Sequence, residues 1–242
     1  MPQYWGLSAK EKDFVIVPKG SHPRMESIPI QVVVRDILKF ANTRKEAKKI
    51  LSQGKILVDR KERKDGRFAV GLMDVIEIPD MGKAFRVEAS RKGLVLKETE
   101  KPEEKTCRII GKTILRGGVE QINLHDGRNI RVGKKSPYRR LDSLVISLPD
   151  QKIINHIPLK VGSRAVIIGG KNRGLSGTIA SVSERKFMLE KATITLETGG
   201  KKSETLKEYI FPIGVTERKT REIQDTPKQK SRKKAADTEE SK

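Results

Sequence analysis

Three features of this 242-residue sequence predict an α+β fold that is mostly β. Helical periodicity is confined to one stretch, from Ile30 to Leu51. From about Gly93 the chain is a succession of short alternating segments separated by turn-forming residues. Hydrophobic residues make up 35% and charged residues 34%, which favours several small cores over one large one. The pattern divides the chain into an irregular N-terminal extension (1–27), a small helix-containing module (28–90), a central β domain (91–158), a small β-barrel (159–217) and a charged tail (218–242).

The extension holds Pro2, Pro18, Gly20 and Pro23, and is expected to order only where Trp5 and Phe14 find a surface to pack on. Ile30, Val33, Val34, Ile37, Leu38 and Ala41 then recur at i, i+3, i+4, i+7, i+8 and i+11, one helix face, which outweighs the strand propensity of the valines. Asn42 and Thr43 break this helix. Thr43 with Glu46 forms a capping box for a second one, with Ala47, Ile50 and Leu51 inward and Gly54 as its stop. "KILVD" reads as a strand, "RKERKDGR" as a polar loop, and "RFAVG" and "MDVIEIP" as β runs, the last ended by Pro79.

Beyond Gly93, "LVLKE", "TCRII", "TILR" and "EQINL" are short alternating segments, and "HDG" before "RNIRV" is an Asp-Gly hairpin turn. "SLVISL", "PDQ" and "KIINHI" make another hairpin. "VGSRAVIIGGKNRGLSGTIASVSE" places two β runs around a glycine-rich loop, and "FMLEKATITLETGGKKSETLKEYIFPI" supplies two or three further strands. After Glu217 apolar residues almost vanish, as expected of a segment disordered unless bound.

The formal net charge is +21, from 52 Lys and Arg against 31 Asp and Glu. A surface rich in ion pairs explains many charges but not this imbalance; a polyanionic partner does, and nucleic acid is the commonest. The single cysteine, Cys107, excludes an intrachain disulfide and a cysteine metal cluster, and points to a reducing compartment. No apolar run approaches the ~20 residues needed to span a bilayer, and the N-terminus has no secretory pattern, so the cytoplasm is expected. His22, His125 and His156 stand far apart in sequence without paired ligands, so no metal, cofactor or small-molecule substrate is expected.

On the second helix Arg44 and Lys48 stack at i, i+4 beside Lys45 and Lys49, opposite the apolar side. Like charges at that spacing are destabilising unless something anionic lies against them. The loop after the next strand adds Arg60, Lys61, Arg63, Lys64 and Arg67. The stretch "TRKEAKKILSQGKILVD" resembles the small RNA-binding module named after ribosomal protein S-four. That resemblance implies that the second helix and the strand loop lie on structured RNA.

In "GGKNRGLSG", Gly169, Gly170, Gly174 and Gly177 permit tight turns and close approach of a partner to the backbone. Lys171 and Arg173 put charge at the tip, and free amides there can form an anion nest. A nucleotide P-loop is excluded, because after Gly169 and Gly174 at the required spacing Leu175 stands where Lys is required. The longer stretch "KVGSRAVIIGGKNRGLSGTIASV" is similar to the KOW motif of SH3-like barrels in ribosomal proteins and transcription elongation factors.

An S-four-type module, an uninterrupted β region and a KOW stretch together resemble the archaeal and eukaryotic "e" family of small-subunit ribosomal protein S-four. "PKGSHPR", "GLMDVIEI", "HDGRNIR" and "GLSGTI" extend the likeness over about residues 5 to 217. The resemblance implies a structural, non-catalytic component of the small subunit that contacts its ribosomal RNA and neighbouring small-subunit proteins. Two rivals are weighed beside it. "RRLD" (Arg139 to Asp142) is similar to the catalytic Arg-Leu-Asp of a pseudouridine synthase family, but "SLVISLPD" follows, and an exposed Asp at a strand start is the preferred account. A KOW-containing transcription elongation factor is the other. His125 falls in a turn, where local bonding by Asp126 is ordinary.

With aromatics at 4%, stacking of splayed bases is not expected to dominate, and phosphate and shape recognition is. The expected phosphate contacts are Arg44, Lys45, Lys48, Lys49, Arg60, Lys61, Arg63, Lys64 and Arg67 from the first module. The barrel adds Lys171 and Arg173, with Gly170, Gly174 and Gly177 letting the backbone approach. Each part alone would bind weakly, and the linked parts gain by effective concentration.

Overall fold

The computed structural model describes Trp5, residues 15–183 and residues 191–215. Phe14 and the tail, for which packing and disorder were the expectations, lie outside the described residues. Trp5 is buried and its indole donates to the Ser27 carbonyl at 2.9 Å, so this part of the extension is fastened to the first module.

Strand β1 (Ile28–Pro29) runs into helix α1 (Ile30–Val32), which continues as a π-helical turn over Val33–Ile37. The helix predicted to reach Ala41 therefore stops four residues early. Lys39 adopts φ of 56°, and the amides of Leu38 and Phe40 close back on the carbonyls of Val33 and Val34, a left-handed stop that uses the last carbonyls. Ala41 is still buried, beyond the turn. Helix α2 (Arg44–Ser52) begins with the predicted capping box: Thr43 accepts from the Glu46 amide at 3.3 Å, and Glu46 accepts from the amides of Thr43 and Asn42. It ends at Gly54, φ 73°.

Strands β2 (Leu57–Val58), β3 (Lys61–Glu62), β4 (Ala69–Val70), β5 (Val75–Ile78), β6 (Lys83–Ser90) and β7 (Gly93–Glu98) complete the module. One antiparallel sheet has the order β3-β2-β5-β6-β7, and β1 pairs separately with β4. Beyond the boundary expected at residue 90, β7 pairs with β6 along its length, and Leu94 and Leu96 join the core of Ile30, Val34, Leu51, Ile56 and Ile76.

The central sheet comprises β8 (Glu104–Ile114), β9 (Glu120–Leu124), β10 (Asn129–Val132), β11 (Ser143–Ser147) and β12 (Ile153–Ile157), in the order β10-β9-β8-β11-β12. "TCRII" and the first two residues of "TILR", read as two segments, lie on one strand. Its first half pairs with β11 and its second with β9, with an irregularity between Ile109 and Gly111. Cys107, Ile109, Ile122, Leu124, Leu144 and Ile146 fill the core.

The third sheet contains β13 (Ser163–Ile167), β14 (Ser176–Ser183), β15 (Thr193–Thr198), β16 (Lys201–Leu206) and β17 (Ile210–Val215), ordered β16-β15-β14-β13-β17. Among the described residues no pairing joins β16 to β17. Ala165, Ile167, Ile179, Ile194, Leu196 and Ile210 form its core.

Polar contacts join these sheets. Lys105 of β8 is fully buried, its Nζ 2.6 Å from Asp74, 2.7 Å from Asp59 and 3.0 Å from Asp126. Arg128 bonds Asp59 at 2.7 Å and Asp126 at 3.2 Å, and His22 meets Asp74 at 3.0 Å. Burial works against the Lys105 charge, but Asp74 and Asp59 outweigh it and hold the ammonium protonated well above its ordinary range. Burial also resists ionisation of Asp74, yet Lys105 and His22 keep its carboxyl below the usual range. His125 makes a second joint: Nε2 lies 3.0 Å from the Leu72 carbonyl, Nδ1 accepts from the Arg108 amide, and the ring packs on Phe211 of β17. Arg108 then donates from Nη1 to the carbonyls of Glu208 and Ile210, at 2.7 and 3.1 Å.

Candidate nucleic-acid interface

Helix α2 buries Ala47 and Leu51 and leaves Arg44, Lys45, Lys48 and Lys49 exposed, as its two-faced pattern requires. None of these four has a carboxylate partner among the described residues. The one acid on the helix, Glu46, is engaged in the cap.

The basic loop flanks this helix at both ends. Glu62 of β3 packs over Gly54 at the C-terminal end of α2. Near the N-terminal end, the Gln31 amide donates to Gly66, while the Gln31 side chain donates to the Arg44 carbonyl at 3.4 Å. Lys61, Lys64 and Arg67 are therefore exposed beside the helical cations, with Lys64 at 3.7 Å from Glu62. Arg60 and Arg63, also expected as phosphate contacts, have partners within the chain. Arg60 is half-buried and bridges Glu77 at 3.3 Å and Glu103 at 3.0 Å. The Arg63 guanidinium lies 4.2 Å above the Phe68 ring, a cation–π contact within the module.

The glycine loop joins β13 to β14, as read from the sequence. Lys171 is exposed at its tip and Arg173 is half-buried. The glycines, however, have protein neighbours. Gly169 and Gly170 lie against the Tyr209 ring, Gly177 against the backbone of Glu197, and a Cβ on Gly174 would fall 2.5 Å from the backbone of Ser90 and Arg91. The close approach that Gly174 and Gly177 allow includes this chain's own backbone, at Ser90–Arg91 and at Glu197. The amides of Arg173, Gly174 and Leu175 are also engaged, by the carbonyls of Gly170, Ile167 and Asn172, which narrows the expected nest.

The sequence reading missed a cleft of about 300 Å³ where the three sheets meet, lined by Arg108, Arg140, Arg173, Glu26, Glu208 and Tyr209. Only the spacing of basic residues hinted at it, since its walls come from seven separate stretches of the chain. Asp142, expected to be exposed, is buried. It accepts from the amides of Arg139 and Leu159 and meets His156 Nε2 at 2.9 Å, so its oxygens hold a turn and a linker together. Asp126 accepts from the Arg128 amide at 3.1 Å, the local bonding expected in that turn. No group of three metal-ligating side chains is assembled among the described residues.

Family models match two stretches: the S4 domain over residues 28–76 and Ribosomal family S4e over residues 81–153. Small ribosomal subunit protein eS4 of Methanocaldococcus jannaschii is 44% identical over 223 residues, covering 88% of this chain and 91% of that protein. The eS4 protein of Staphylothermus marinus is 39% identical over 228 residues, covering 89% and 90%. The crystal structure of 30S ribosomal protein S4e from Thermoplasma acidophilum superposes with a TM-score of 0.69 and 30% identity, over 79% of this chain and 96% of that one. With an S4 domain carrying the cationic helix and an S4e match running on through the central sheet, the chain belongs to the S4e family of ribosomal proteins.

Proposed function

We propose that this chain is a structural protein of the small ribosomal subunit, not an enzyme, and that it docks on ribosomal RNA through phosphate and shape contacts. One observation carries the RNA reading: Arg44, Lys45, Lys48 and Lys49 project from one side of α2 with no carboxylate partner among the described residues, and Lys61, Lys64 and Arg67 extend that side. Arg60 and Arg63 hold the basic loop in shape from within. In the third sheet Lys171 is the phosphate contact, Arg173 faces the cleft, and Gly170, Gly174 and Gly177 set the loop's path. The strand order β16-β15-β14-β13-β17 around one apolar core supports the SH3-like KOW reading. Because the Lys105 cluster and His125 tie the sheets together, the cations are offered as a preformed array rather than as beads on flexible linkers, which lowers the ordering cost of docking.

The test is equilibrium binding of the full chain to a small-subunit ribosomal RNA transcript across a salt series. Each phosphate neutralised contributes a slope of roughly 0.7 to 0.9 in log affinity per log salt. Changing Arg44, Lys45 and Lys48 to Glu should weaken binding and lower the slope by about 2 to 3. A folded variant with an unchanged slope would show that this helix faces only water.

A further inference from the structure

A further cationic surface is carried by the central sheet, on residues outside both the S4 domain and the glycine loop. Residues 133–140, "GKKSPYRR", connect β10 to β11. Lys134, Lys135, Arg139 and Arg140 are exposed along it. Arg131 is exposed on the adjoining strand and Arg116 in the turn before β9. The Lys134 side chain packs against Gly118, so that turn and this loop lie side by side. Among the described residues, Arg140 alone of the six cations has a carboxylate within reach, Glu208 at 4.0 Å.

The loop is held, not merely solvated. Glu120 accepts from the Ser136 amide at 2.8 Å and from the Ser136 hydroxyl, and sits 2.7 Å from Lys112, which also donates to the Ser136 carbonyl. The Lys112 and Ser136 bonds hold the Glu120 carboxyl at about 2, ionised at every physiological pH. That acid is therefore paired with Lys112 and does not neutralise the loop's tip. Tyr138 packs edge-on against His156 at 5.0 Å, and Asp142 fixes the Arg139 amide. Lys135 itself is kept at φ of 58°, a left-handed conformation that strains a residue bearing a side chain. A loop with no partner gains nothing from holding like charges together in a strained backbone.

We infer that Arg116, Arg131 and the 133–140 loop form an additional docking surface for the phosphate backbone of structured RNA, pre-shaped by its Glu120 anchor. Arg140 extends it to the rim of the three-sheet cleft, whose walls hold Arg108 and Arg173. The inference rests on the ribosomal RNA reading above and places a third contact on the sheet between the other two. Few long aromatics accompany the cations, so the contact reads charge and groove shape rather than bases.

The experiment compares wild type, the α2 variant and a Lys134→Glu, Lys135→Glu, Arg139→Glu variant of the full chain for binding to small-subunit ribosomal RNA over a salt series. The loop variant should bind at least 10-fold more weakly at low salt, with a slope lowered by about 2 to 3. A urea midpoint matching wild type would establish that it is folded. Should it unfold, Lys134→Gln with Lys135→Gln replaces it, with a slope loss of about 1.4 to 1.8 expected. If wild type ignores the transcript, the RNA reading itself fails. If wild type binds and the α2 variant weakens while the loop variant matches wild type, this inference alone fails. Normal binding to naked RNA combined with loss from assembled subunits would assign the loop to a neighbouring protein and overturn it equally.

Discussion

The imidazole rings of His22 and His125 stand edge to face with centroids 6.0 Å apart, and the junction around them moves their proton affinities in opposite directions. His125 is pushed down to about 4, first by burial, with Lys105 and His22 adding repulsion against Asp126 and the Leu72 carbonyl. His22 is raised: burial opposes its charge, but the charge and hydrogen bond of Asp74 outweigh burial and the repulsion of Lys105.

The signs give a pH profile. The neutral His125 ring contributes stability that is present above its unfolded value near 6.5 and is lost as pH falls towards about 4, on the order of 3 kcal/mol. His22 contributes stability that is complete below 6.5 and fades as pH rises through its raised value. Urea midpoints should therefore drop between pH 6.5 and 4, and His125→Gln, which can still donate to Leu72, should flatten that drop. NMR titration of the rings should find His22 protonating above His125.

Lys105→Met should be among the most damaging single changes in the chain. It would leave Asp59, Asp74 and Asp126 buried with Arg128 and His22 as their remaining counter-charges, at a cost of about 3 to 5 kcal/mol. Lys97→Met, which breaks an exposed bridge to Glu88, should cost less than about 1 kcal/mol. Denaturant unfolding of the two variants makes the comparison.

Gly174 and Gly117 have nearly the same φ, 83° and 81°, but different surroundings. Alanine at Gly117 meets open space and bears only backbone strain, about 1 to 2 kcal/mol. Alanine at Gly174 adds a collision with the Ser90–Arg91 backbone, for a total of about 2 to 4 kcal/mol. Thermal melts of both variants should separate the two contributions.

Thr43→Ala removes one half of the α2 capping box and should cost about 1 kcal/mol in urea. The salt slope of RNA binding should survive, since no cation changes.

Locally encoded features could be read directly from the residues. Thr43 and Glu46 announce their cap, Gly54 its stop, and Asp126-Gly127 its hairpin, because each acts within four residues of itself. Helix α1 was overextended because the apolar period continues to Ala41 while a left-handed Lys39, which no spacing rule flags, ends the helix. The cations of α2 were found through their period. Arg60 and Arg63 fit the same charge pattern, yet Glu77, Glu103 and Phe68 draw them inward. Least legible was the Lys105 cluster. Its members span positions 22 to 128, and each looks in sequence like an ordinary surface charge. Gly174 was recognised as requiring glycine, but its partner, 83 residues earlier at Arg91, could come only from the assembled fold.

The one indole in the chain belongs to Trp5, sealed against the first core and bonded to the Ser27 carbonyl. Its fluorescence is therefore a resident optical reporter of whether the leading segment is seated. Emission should be blue-shifted in the native protein and move to longer wavelength when that segment peels away. No dye is needed, and no other chromophore of its kind is present to confuse the signal.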